Sequence, residues 1–154
     1  MDGRYPFSAR EAGGQDLALL ARLNRILIED EGSNNPMTLP ELEARMAELL
    51  RDGYTALLFD QEGVVLGYAL YRVEQEEGDA PAFVFLKQFV IVHEHRRRGY
   101  GIRAVDYLLR YAFPQNAVVS LDVLHANAAG RNFWEKAGFT PYYTNLKRWP
   151  EKQA

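Results

Sequence analysis

The chemistry of this 154-residue chain gathers at Arg96-Arg97-Arg98-Gly99-Tyr100-Gly101. Three guanidinium groups stand beside two glycines, and glycine lets backbone N–H groups approach a ligand closely. From Tyr100 onward, Ile102, Val105, Leu108 and Leu109 recur at helical spacing, with Arg103, Asp106 and Arg110 among the polar positions. The first N–H groups of a helix lack intrahelical partners, and the helix dipole favours negative charge there. Ahead of the turn, residues 83–92 are apolar apart from Lys87 and Gln88, the pattern of a strand covered on both faces. Strand, cationic glycine turn and helix together make a cradle for a pyrophosphate. Taken alone, the same residues also fit an ordinary strand-to-helix connection with a solvated basic rim. Neither a Gly-Lys-Ser/Thr phosphate loop nor a GxGxxG pattern occurs.

The elements that must position this turn follow from periodicity and punctuation. Residues 4–10 read as a short strand that Pro6 confines to an edge. Leu19, Leu20, Leu23, Ile26 and Leu27 share one side of a predicted helix over 15–31, which runs into a turn-rich loop containing Asn34, Asn35 and Pro36. Thr38, Pro40 and Glu41 form a helix entry, and Leu42, Met46, Leu49 and Leu50 give that helix its stripe. Strands are predicted over 54–59 and 64–73, with Gly67 marking a bulge or a close backbone approach. After the central strand, turn and helix come a strand over 117–124, a helix over 127–137 stopped by Gly138, and a last strand over 139–149. The order β-α-α-β-β-β-α-β-α-β implies one α+β domain over residues 1–154.

Composition bounds the reading. Apolar residues make up 47% and charged residues 25%, ordinary for a globular chain that can bury a core without staples. No apolar run is long enough to span a membrane, and the first residues lack the apolar core of an export signal, so a cytoplasmic place is expected. With no cysteine there is no disulfide, thiolate metal site or cysteine nucleophile, and no metal is expected. A net charge of −3 gives no overall attraction to nucleic acid.

The turn resembles the Arg/Gln-x-x-Gly-x-Gly/Ala signature of the GNAT superfamily of acyl-CoA-dependent N-acyltransferases. A second stretch, NAAGRNFWEKAGF over 127–139, resembles that family's Asn-x-x-Ala/Gly-x-x-Phe-Tyr-x-x-x-Gly-Phe motif. The resemblance implies a central mixed sheet with splayed fourth and fifth strands, helices on both faces, and acetyl-CoA as co-substrate. It places the pantetheine arm along Phe89, Val90 and Ile91, and the pyrophosphate on Arg96, Arg97, Arg98, Gly99, Tyr100, Gly101, Ile102 and Arg103. Asn127 caps the last helix and also faces the CoA arm. Where the family often has a tyrosine that protonates the departing thiolate, this chain has Trp134, whose indole N–H is no acid but whose ring is expected to pack against the pantetheine and shield the sulfur. Tyr142 and Tyr143 are the nearest phenols in sequence. Asp122 takes the position of a family glutamate that serves as base, with an Asp satisfied by nearby backbone the equal alternative; His93 and His125 are further proton carriers. A main-chain N–H near Ile91 would hold the oxyanion. Asp30, Glu31, Asn34 and Asn35 lie in the loop that flanks the acceptor, where acids attract a cationic amine, a small molecule or a peptide N-terminus. Direct acetyl transfer to a primary amine in a ternary complex is expected, and a homodimer is expected because symmetric dimers are common; an acyl-CoA-binding sensor without turnover is the alternative.

Overall fold

The computed structural model of the chain describes residues 4–96 and 98–151. Five strands form one sheet in sequence order: β1 (Ser8–Glu11), β2 (Thr55–Gln61), β3 (Val64–Glu74), β4 (Phe83–Ile91) and β5 (Val118–Ser120). The first four pair antiparallel, and β5 joins β4 in parallel. A parallel pair requires a crossover. Here α3 (Tyr100–Tyr107) and the π-helical segment Leu108–Ala112 supply it.

Helices α1 (Leu17–Glu31) and α2 (Leu39–Arg51) cover one face of the sheet. Their Leu20, Leu23, Leu27 and Met46 meet Ala56, Leu58, Tyr68, Leu70 and Val90. The opposite face packs Leu57, Phe59, Tyr71, Val84, Leu86 and Ile91 against Tyr100, Ala104 and Leu108 of the crossover. Each fully buried Leu or Met removes enough apolar area to stabilise the fold by about 1.5–3 kcal/mol. Helices therefore lie on both faces, and the architecture is α+β around a mixed sheet.

Local signals set several boundaries where the sequence puts them. Thr38 accepts from the Glu41 N–H while Glu41 reaches back to the Thr38 N–H, so α2 starts on a capping box. Gly32 ends α1 in the left-handed region, at φ 69°. Gly67 is a close approach: a Cβ there would lie 1.9 Å from the Val90 carbonyl oxygen. It also flanks the shift in the pairing of β2 with β3, where the neighbouring Leu66 is the inserted residue.

Two expectations need correction. The strand predicted over 117–124 is three residues long, and Leu121–Leu124 carries no strand. The last strand, over 139–149, does not form; Tyr142, Leu146 and Trp149 are 96%, 89% and 76% exposed. Aromatic and β-branched residues favour a strand only when a neighbour offers a half-buried pleated surface. β5 is too short to offer one.

Candidate active site

The site begins with the way β4 leaves β5. Only Phe83↔Val118, Val84↔Val119 and Phe85↔Ser120 pair across them. On its other side β4 shifts register against β3: Leu70 faces Gln88 and Tyr71 faces Leu86, so Lys87 is an inserted residue. A bulge of this kind bends the strand and increases its twist. It falls two residues beyond the last β4–β5 pair. From Leu86 to Ile91, β4 is paired with β3 alone among the described residues. Peptide groups along that open edge need partners, and an extended amide-bearing ligand supplies them in the manner of an added strand.

At the end of that edge lies the glycine turn. Gly99 is in the left-handed region, at φ 75°, and is the N-cap of α3. The first ladder bond of the helix runs from the Arg103 N–H to the Gly99 carbonyl, at 3.1 Å. The N–H groups of Tyr100, Gly101 and Ile102 precede the ladder and lack i−4 partners, the arrangement that suits an anion. Arg98 and Arg103 are exposed beside it, while Tyr100 turns its ring inward and is buried. Arg97 lies outside the described residues. Arg96 is tied into the fold: its Nε donates to the Ile91 carbonyl at 2.7 Å and its guanidinium pairs with Asp30. That arginine ties the end of β4 to the end of α1.

Helix α4 (Ala128–Lys136) brings the second motif to the first. Asn127 caps it, its Oδ1 accepting from the Gly130 N–H at 3.0 Å. A Cβ at Gly130 would fall 2.5 Å from the Asn127 amide, so this glycine makes room for the cap. Phe133 and Trp134 reach across to β4: Phe133 stacks on Phe89 at 5.9 Å between centroids, and Trp134 meets Phe89 edge-on at 5.4 Å. A Cβ at Gly101 would stand 2.9 Å from the Phe133 ring. The turn and the α4 motif, remote in sequence, thus meet at one end of the split.

Comparison with known proteins gives the chain a family. The profile of the Acetyltransferase (GNAT) family matches residues 20–139. The chain belongs to that family. An assigned acetyltransferase of Agrobacterium tumefaciens str. C58 is 27% identical, with a TM-score of 0.71 over 93% of this chain and 99% of that one. An acetyltransferase assigned in Clostridium acetobutylicum and solved with acetyl-CoA is 17% identical over 92% of this chain and 95% of that one, at a TM-score of 0.70. The aminoglycoside N-acetyltransferase AAC(6′)-Iy, solved with CoA, is 16% identical over 97% and 99%, at 0.73. The last two likenesses speak for the fold alone. A comparison with curated proteins gives no match.

In this GNAT domain the remaining expected site residues fall in different places. Asp122 is exposed in the irregular stretch past β5, and its charge is felt by Lys87 on the facing strand. Tyr142 and Tyr143 contact each other, with Tyr142 96% exposed, and stand outside the assembled cluster. Trp134 is half-buried among Phe89, Phe133 and Phe139, so the position of the usual tyrosine is an apolar wall. On the acceptor side, Asp30 is engaged by Arg96. Burial, and then the neighbouring Asp30 charge, push the Glu31 carboxyl above its usual range. Asn34 is exposed; Asn35 turns its loop by accepting from the Met37 N–H at 3.0 Å.

Sequence reasoning passed over the residues on the α2 face of the bulge. Lys87 lies 6.0 Å from the centroids of both Tyr54 and Phe85, and the Arg72 guanidinium lies 5.0 Å from the Tyr54 centroid. Next along β4, Gln88 is buried and accepts from the Tyr68 hydroxyl at 2.7 Å. The signal was present: Lys87 and Gln88 are the polar pair inside an otherwise apolar strand.

Proposed function

We propose that the domain moves an acetyl group from acetyl-CoA to the primary amine of a small molecule or peptide, by direct transfer in a ternary complex. The observation that carries this reading is the opening between β4 and β5 ending at the Gly99–Ile102 turn. Its open edge suits the pantetheine amides at Phe89, Val90 and Ile91, and its helix N-terminus with Arg98 and Arg103 suits the pyrophosphate. The Asn127 side chain, already a cap, is assigned a further contact with the arm. A metal has no part in the reading.

In the transfer, the amine nitrogen attacks the thioester carbonyl, an oxyanion forms, and the C–S bond breaks to release CoA thiolate. An arm that starts at the turn and uses the amides at Ile91, Val90 and Phe89 carries its thioester past Phe89, so a β4 main-chain N–H there is the donor assigned to the oxyanion, in place of the one expected near Ile91. Asp122, reaching through water, is the group assigned to take the amine proton. Tyr142 or Tyr143 is assigned to return a proton to sulfur, and solvent serves where neither reaches. Glu31, with Asp30 beside it, gives the acceptor side of the cleft a negative edge that favours an ammonium ion before it is deprotonated. A cytoplasmic place, where acetyl-CoA is at hand, belongs to the same proposal, as does a homodimer.

The test joins calorimetry with acetyl-CoA to thiol release over a panel of amines. Saturable binding and amine-dependent release of free CoA are expected. Binding without release from any amine would make the domain a sensor; no binding would remove both readings. Parallel rather than intersecting double-reciprocal lines would overturn direct transfer.

A further inference from the structure

The two cations beside Tyr54 have no role in acetyl-CoA binding as described above, and Lys87 is on the same strand as the path assigned to the arm. From Ile91 back to Lys87 is four residues of strand, about 13 Å. An arm anchored at the turn and lying along β4 therefore carries its thioester toward Phe89 and Lys87. Just beyond, the Tyr54 ring is flanked by Lys87 from the bulge and Arg72 from β3.

These groups are half-buried, and their bonding capacity is not used up. The Arg72 Nε is buried without a hydrogen-bond partner, while its Nη2 meets Glu74 at 2.9 Å. Among the described residues Lys87 makes no salt bridge, and neither does Arg45 on α2. Burial first, then the Arg45 and Arg72 charges, lower the Lys87 ammonium's hold on its proton; Asp122 opposes them. Three cations thus gather against Asp122 and the largely exposed Glu74, with Glu31 acting on the buried Tyr68 from the same side as Arg45. A gathering of like charge with a buried unmet donor costs free energy in the empty protein. A bound anion relieves it, and a planar carboxylate matches the guanidinium fork.

We propose that the acceptor amine also carries a carboxylate, held by Lys87 and Arg72 beside Tyr54 with Arg45 adding to the field. This rests on the acetyl-transfer reading and narrows its substrate to amino acids and other amines with an acidic group. Across the same face, Glu31 accompanies the amine end.

The experiment compares matched acceptors of equal length: an ω-amino acid, the alkylamine lacking its carboxylate, the aminoalkyl phosphate and a diamine. The amino acid is expected to show kcat/KM above the alkylamine by about tenfold or more, the worth of one charged hydrogen bond. Arg72→Gln and Lys87→Gln should each bring that ratio down by about tenfold, through KM, with acetyl-CoA affinity unchanged by calorimetry. Arg45→Gln should move it less. A higher rate for the phosphate than for the amino acid would overturn the carboxylate assignment, and a preference for the alkylamine or diamine would overturn the anion site altogether. If acetyl-CoA binds but no amine releases thiol, the transfer reading has failed. The anion site then stands or falls on calorimetry: the amino acid should bind the CoA-loaded protein more weakly in Arg72→Gln and Lys87→Gln, and equal affinity would reject it.

Discussion

Gly67 is a single residue on which the cleft depends. A methyl group there would stand 1.9 Å from the Val90 carbonyl, inside any van der Waals contact, so β3 and β4 would have to part. Gly67→Ala is expected to cost about 1–3 kcal/mol in urea unfolding, as overpacking does, and to weaken acetyl-CoA binding because Val90 moves with its strand. Unchanged affinity in a folded variant would separate the glycine from the site. Asp122 tests the opposite case. It is exposed, so Asp122→Asn should change stability by less than about 0.5 kcal/mol while lowering kcat/KM about a hundredfold, with acetyl-CoA affinity retained. An unaltered pH–rate profile would dismiss it as the base. At this scale the sequence was informative about backbone and less so about side chains. Gly67, Gly99 and Asn127 announce local geometry by residue type. The roles of Arg96 and Asp30 do not, because their partnership spans from α1 to the end of β4.

Among the elements, the union of β1 with the start of α1 shows how charge holds a boundary. Arg10 on β1 donates to both carboxylate oxygens of Asp16 at 3.0 Å, and the Gly13 N–H donates to the same group at 2.9 Å. The Arg10 bonds, then the Gly13 bond, keep the Asp16 carboxyl below its usual range. A depressed value in the fold means that this stabilisation is present above the unfolded carboxylate pKa, near 4, and is lost as pH falls through the folded value. Asp16→Asn is thus expected to lose about 1–3 kcal/mol at neutral pH and to show a shallower fall in stability from pH 5 to 3 by urea unfolding. An equally steep fall would place the acid sensitivity elsewhere, at Asp106, whose carboxyl is also lowered, first by the Tyr5 hydroxyl. Elements fixed by neighbours in sequence were readable in advance, as the Thr38 box and the α1 stripe show. The length of β5 and the fate of residues 139–149 were not. Both depend on which strand stands alongside, and β-propensity alone is silent on that.

Over the whole molecule, apolar surface is distributed unevenly. Val118 and Leu124 around β5, and Tyr142, Tyr143, Leu146 and Trp149 after α4, are all exposed, whereas the large apolar residues of α1 and α2 other than Leu39 are buried or half-buried. Exposed apolar surface of this kind marks a place of association. Sedimentation velocity is expected to show a concentration-dependent increase in mass that Leu146→Arg suppresses without altering unfolding; a monomer at all concentrations would contradict this. The chain has two tryptophans, and the fold assigns them opposite surroundings. Trp149 is in water, while Trp134 rests edge-on against Phe89 beside the split. With phenylalanine in place of Trp149, all indole emission would arise next to the path assigned to the pantetheine arm. Its wavelength and intensity should then follow acetyl-CoA occupancy directly, giving the domain an optical gauge that needs no dye and no turnover.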